Sequence, residues 1–185
     1  MYGKKMLTVM VIGAFLVLGL TSLGMAQEMQ VMKDAYKMMS DGWKMFDDGQ
    51  RMVIQGLEMN NQVAAKVGCA DLMKPGNKTI RKGRDTVING AQTFARGQKV
   101  IMDNPESLKV IKEGVDMLRT GFKNAIDGKT MMEKGMCMND QVAQSKGFMD
   151  KFADGNKIMK DGMATMGNAI KLFMQGERMY LGAKE

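Results

Sequence analysis

Residues 76–97 read GNKTIRK-GRDTVIN-GAQTFAR-G, with glycine at 76, 83, 90 and 97 and Ile80, Val87 and Phe94 each four residues after a glycine. Seven residues make about two helical turns, so a strict seven-residue period keeps glycines and large apolar residues on one face of a helix. The same spacing extends along the chain. Gly42, Gly49 and Gly56 precede this stretch; Gly114, Gly121, Gly128 and Gly135, and then Gly155, Gly162 and Gly176, follow it. Ala35 and Ala169 hold the same phase, and 14 of the 18 glycines after residue 26 belong to the series.

With glycine as position a, the segment before residue 60 places Val31, Met38, Met45, Met52 and Met59 at d, and Met32, Met39, Phe46 and Val53 at e. Tyr36, Trp43 and Leu57 stand at b, while c, f and g are mostly Lys, Asp, Gln and Arg. Positions d, a, e and b form one continuous apolar stripe at 100° per residue. Val110, Met117 and Met131 at d, and Met159, Met166, Phe173 and Tyr180 at e, repeat the pattern. Four amphipathic helices are expected, over roughly 28–66, 72–102, 105–145 and 150–183.

A glycine inside a helix costs about 1 kcal/mol relative to alanine, so the 14 cost on the order of 14 kcal/mol. Close approach of two helices, where only a missing side chain fits, is the expected compensation. A glycine-lined groove holding an apolar ligand is the alternative.

The chain is also duplicated. Asn60-Asn61-Gln62-Val63-Ala64 matches Asn139-Asp140-Gln141-Val142-Ala143 at an offset of 79, and Gly76-Asn77-Lys78 matches Gly155-Asn156-Lys157 at the same offset. The two copies run over about 29–107 and 108–185. Short connections make sequential helices antiparallel. The fold class is therefore all-α: an elongated antiparallel four-helix bundle built from two tandem helical hairpins. Gly68 and Gly147 read as the residues that end helices one and three. Asp71 and Asp150 read as N-caps of helices two and four, and Asp103-Asn104-Pro105-Glu106 as the start of helix three.

The N-terminus reads as an address. Lys4 and Lys5 precede an apolar run from Leu7 to Leu23, and small residues Gly24 and Ala26 flank Met25. This is the pattern of a secretory signal cut after Ala26, giving a 1–26 signal peptide and one domain over 27–185 in the periplasm or outside the cell. No second apolar stretch is long enough to span a membrane.

Composition narrows the chemistry. With no His, the commonest general base and transition-metal ligand are missing. No Ser-based nucleophile, phosphate loop or haem motif is present, so the expectation is a protein without catalytic activity. After residue 26 there are 20 Met against six Leu. Methionine fills irregular gaps, but thioethers and thiolates also bind Cu(I). The densest donor set is Met131, Met132, Met136, Cys137 and Met138, with Met159, Met163 and Met166 as a second set. Cys69 and Cys137, one per copy, are candidates for a single disulfide in an oxidising compartment, with an intermolecular bond or free thiols as the alternatives. Lys4 and Lys5 are the only charged residues before Gln27, so the remainder carries 25 basic and 20 acidic residues, a net +5. Arg81, Lys82 and Arg84 are the densest basic patch. Nucleic acid is not an expected partner, since no nucleic-acid motif accompanies this modest charge. A protein partner or self-association is expected, and weak contact with an anionic surface is open.

Overall fold

A computed structural model describes residues 2–104 and 107–182, with side chains from Ala26 onward. Four helices follow in order: α1 (Tyr2–Lys66), α2 (Ala70–Asp103), α3 (Leu108–Ser145) and α4 (Ala153–Gly182), the last preceded by a 3₁₀ turn over Met149–Phe152. At 1.5 Å per residue, α2 alone is about 50 Å long. The 1–26 signal segment falls, apart from Ala26, outside the residues whose side chains are described. Among the described residues no helix is long and apolar enough to cross a membrane.

The helices form an antiparallel bundle in which the closest pairs are the first helix with the last and the two middle helices with each other. α1 packs mainly on α4 and α2 mainly on α3, while α1 with α2 and α3 with α4 touch sparsely. Each intimate pair therefore joins one repeat to the other. The two tandem hairpins thus close on each other, and within each hairpin the two helices touch sparsely. Every helix carries the same glycine line, and the seven-residue period does not name the neighbour.

Along both close seams the backbones meet at the glycines. A Cβ on Gly83 would lie 2.5 Å from the Gly128 carbonyl oxygen, one on Gly90 2.5 Å from that of Gly121, and one on Gly97 2.6 Å from that of Gly114. The α1–α4 seam repeats this with Gly49 against Gly162 at 2.6 Å and Gly56 against Gly155 at 2.5 Å. Where the glycine series breaks, Ala35 faces Gly176 and Ala169 faces Gly42, so one partner still lacks a side chain. No real Cβ sits that close to a carbonyl oxygen, so at these positions backbone of the facing helix stands where a side chain would be.

The large side chains at e pack over the glycines of the facing helix and into the wide interfaces. Position e of every helix is buried, including Phe46, Phe94, Leu118, Met166 and Tyr180. Phe122 of α3 stacks on Phe173 of α4 with ring centroids 3.8 Å apart, and Trp43 of α1 stacks on Phe94 of α2 at 4.6 Å. The two stacks are equivalent under the 79-residue repeat.

The ends show how local sequence sets the turns. Gly68 and Gly147 have φ of 71° and 68°, and the amides of Cys69 and Phe148 donate back to Ala64 O and Ala143 O. These are Schellman closures, for which a left-handed residue is required and glycine is cheapest. Three end assignments are corrected. α2 begins at Ala70, with Cys69 in the cap position and Asp71 in the first turn, where it pairs with Lys74. α3 begins at Leu108, where Ser107 Oγ accepts from the Val110 amide; Pro105 and Glu106 lie outside the described residues. Asp150 belongs to the 3₁₀ turn rather than capping α4.

Candidate functional site

The five residues of the densest donor set, Met131, Met132, Met136, Cys137 and Met138, diverge around α3. Met132 is fully buried in the main core, Met136 packs half-buried against it, and Cys137 is exposed. Met131 and Met138 lie two turns apart on a third side, over the α2–α3 seam. Their sulfurs sit beside the Thr86 and Thr79 hydroxyls, at 3.8 and 3.9 Å. Residues i, i+1, i+5, i+6 and i+7 cannot all face one ion on a straight helix. The structure thus keeps Met131 and Met138 on one line and does not bring Cys137 to them. In the second set, Met159 and Met166 are core residues and Met163 is half-buried beside them.

Cys69 and Cys137 are not bonded to each other in this structure. Cys69 is buried at the turn end of the bundle with Met73, Ala143 and Phe152. Cys137 lies about two helical turns before the end of α3 on its solvent side, about 12 Å away along the axis from the turn that would have to meet Cys69. A disulfide needs Cα atoms within about 7 Å.

A polar arrangement not foreseen as a unit occupies this end. Asn60 of α1 donates to Asn156 of α4 at 2.7 Å, and Asn156 donates to Asp140 of α3 at 2.9 Å. Asn139, beside Asp140, donates to Asn77 of α2 at 2.7 Å, and Asn77 donates to Asn61, beside Asn60, at 2.6 Å. The six residues encircle all four helices and separate the main apolar core from a smaller one around Ala64, Cys69, Met73, Ala143 and Phe152. Asn60 and Asn139 are only 5% and 6% exposed. Their Oδ1 atoms have no hydrogen-bond donor and occupy the space that a Cβ on Gly155 or Gly76 would need. The sequence signal was the repeated Asn-Asn/Asp-Gln-Val-Ala and Gly-Asn-Lys segments, conspicuous as repeat markers but not as partners of each other.

Open grooves lie on the wide sides. One, of about 420 Å³, runs between α3 and α4 past Arg119, Phe122, Phe173 and Glu177. Arg119 Nε donates to Glu177 Oε1 at 2.5 Å across it, with Asp116 at 3.5 Å from the guanidinium. Another groove, between α1 and α2 and of about 340 Å³, is lined by Asp47, Arg51, Ile54, Glu58, Arg84 and Ile88. Thus Arg84, of the sequence's basic triplet, faces α1, while Arg81 and Lys82 are exposed on the outside of α2. Tyr180, buried beneath Asp116 and Arg119, has its phenol pushed up to about 12, chiefly by burial and then by the Asp116 carboxylate, with Arg119 opposing. Among the described residues no group of three or more Cys, Asp or Glu converges as a metal site. Comparison with protein families, curated proteins and solved structures gives no match.

Proposed function

We propose that this chain is an exported, non-catalytic helical-bundle protein with a structural or interaction role, working outside the cytoplasmic membrane after removal of residues 1–26. The observation that carries this reading is the pair of seams in which carbonyl oxygens of one helix occupy the Cβ space of the next. Heptad glycine packing of this kind offsets the helix cost of the glycines and makes the two halves into one stiff rod. Chemistry is confined to the outer faces, where Lys, Arg, Asp and Glu stand in water.

Cu(I) carriage is the competing reading. It is the weaker one because Met132 is core and Cys137 points away from the Met131–Met138 line. Native mass spectrometry of the protein purified from its host's exported fraction discriminates the two. A bare mass for residues 27–185 is the expected result. A mass carrying copper or an apolar adduct overturns the structural reading.

A further inference from the structure

α2 is electrically unlike its neighbours. It holds seven Lys and Arg against three Asp, a net +4 that accounts for most of the +5 carried after residue 26. Counted the same way, α1 from Gln27 onward has five basic and six acidic residues, α3 six and five, and α4 four and three.

Six of the seven cations of α2 have no ion pair among the described residues. On α1, α3 and α4 several cations are neutralised one turn away, as in Arg51–Asp47, Lys129–Glu133 and Lys157–Asp161. On α2 the ion pair among the described residues is Lys74–Asp71. Lys78, Arg81, Lys82, Arg96 and Lys99 have none, and all five are exposed. They occupy heptad positions c, f and g, the arc opposite the buried glycine and e positions, so they form one outward face about 30 Å long. Asp71, Asp85 and Asp103 are the acids on that arc, and Asp71 is the one paired with Lys74.

Two large apolar residues stand in line along position f, Met102 on the open arc and Ile88 at its margin, where it also lines the α1–α2 groove. Ile88 is 39% exposed and Met102 is 70% exposed. Ile88 has Arg81 and Lys82 one to two turns before it, and Met102 has Arg96 and Lys99 within two turns. The apolar face of α2 is buried in the bundle, so the outer arc acts as a polybasic patch that meets anionic headgroups, with Ile88 and Met102 the apolar side chains within it.

From this geometry we infer that the outer face of α2 docks the rod on a bilayer surface bearing anionic headgroups. The inference rests on the interaction role proposed above and names the partner. Charge complementarity selects the occupant: five unpaired cations face outward on a helix that supplies its own structural needs from the opposite side. Each cation near an anionic leaflet is worth about fivefold in partitioning, and the attraction fades with salt over a Debye length of about 8 Å.

Vesicle flotation with protein purified from the exported fraction tests this, using phosphatidylcholine vesicles with and without phosphatidylglycerol. The wild-type chain is expected to float with the anionic vesicles at low salt and to be released as salt rises. Replacing Lys78, Arg81, Lys82, Arg96 and Lys99 with Gln is expected to lower partitioning by a factor of a hundred or more, on the order of five factors of five moderated by the remaining charge. The double variant Ile88→Ser, Met102→Ser is expected to lower it severalfold at unchanged net charge. All seven positions are exposed, and a thermal melt confirms that both variants stay folded. Equal binding to neutral and anionic vesicles, which a retained N-terminal segment would produce, overturns the inference. So does binding unaffected by the five Gln replacements. Equally tight binding to soluble polyglutamate, insensitive to Ile88 and Met102, also overturns it and makes the partner an acidic polymer. None of these outcomes alters the bare mass on which the structural reading depends, so the two fail separately.

Discussion

The close seams and the wide interfaces of this bundle are made from opposite materials. Where α1 meets α4 and α2 meets α3, the contact is glycine backbone on glycine backbone. Where α1 faces α2 and α3 faces α4, it is aromatic rings, half-open grooves and a few polar ties. The difference shows how one heptad supports two kinds of packing. Glycine at a removes side chains from one direction, and the displaced volume reappears at e and b on the adjacent side. Sensitivity to substitution should therefore invert between the two: the seam tolerates no added atom, and the wide interface tolerates no lost one.

The largest effect is expected at the seam. Gly128→Leu drives a branched side chain against Gly83 O, 2.5 Å from the first added carbon, with Val87 also in the way. A loss of more than about 4 kcal/mol is expected, read as a fall in Tm of about 10 °C or more at 2–4 °C per kcal/mol. A melt unchanged from wild type would remove the close-packing account of the glycine series. The sharper version uses alanine. Gly83→Ala gains about 1 kcal/mol of helix propensity yet meets backbone, so net destabilisation is expected. Gly167 of α4 has nothing within 4 Å of an added Cβ, so Gly167→Ala is expected to stabilise by up to about 1 kcal/mol. Opposite signs for one substitution on one fold would locate the seam without any structural measurement.

At the wide interface the change to make is removal. Phe122 is buried and touches Phe173, Phe46 and Trp43. Phe122→Ala is expected to cost about 3–5 kcal/mol in denaturant unfolding, since the groove beside it cannot collapse onto backbone-locked helices. A cost below about 1 kcal/mol would mean that the rings are spectators and the seams alone hold the bundle.

Much of this contrast was written in the sequence. The phase of Gly76 to Gly97 against Ile80, Val87 and Phe94 marked the buried stripe, and the 79-residue offset marked two equal halves. Gly68 and Gly147 read correctly as helix ends because only one local geometry asks for glycine there. The choice of partner was not legible, because a period reports which face is buried and not which helix buries it. The Cap positions at Asp71 and Asp150 misled because a preceding or following residue took the helix start. The methionines misled differently. Residues only five apart in sequence, such as Met132 and Cys137, are sent to different sides by helical geometry, so a dense cluster on paper dissolves into separate lines.

The polar belt lies between these extremes, because it crosses both seam and wide interface. Asn139→Leu removes an amide whose Nδ2 donates to Asn77 and whose Oδ1 fills the notch over Gly76. A Leu there cannot make the hydrogen bond and leaves the Asn77 carbonyl without its donor. About 1–3 kcal/mol of destabilisation is expected by thermal melt. A stabilised variant that populates more than one species on native gels would instead give the belt the job of fixing register, as single buried amides do in coiled coils.

The smallest effect concerns the tie across each wide interface, which differs between repeats. Ser40 accepts from Gln98 at 3.0 Å in the first half, where the second half has Arg119 and Glu177. The double change Arg119→Ser, Glu177→Gln imports the uncharged pair. Because the ion pair is partly exposed, a change below about 1 kcal/mol is expected at neutral pH. Its readout is better taken from Tyr180. That phenol is raised to about 12 from an ordinary value of 10, so it favours the folded state below pH 10 and that contribution is lost as pH climbs towards 12. Arg119 is the group that opposes the rise. Removing it should move the highest step of a phenolate absorbance titration further up, and Tyr180→Phe should abolish that step. A step that stays in place would show that the Arg119 charge is spent on Glu177 and Asp116, and that burial alone sets the phenol.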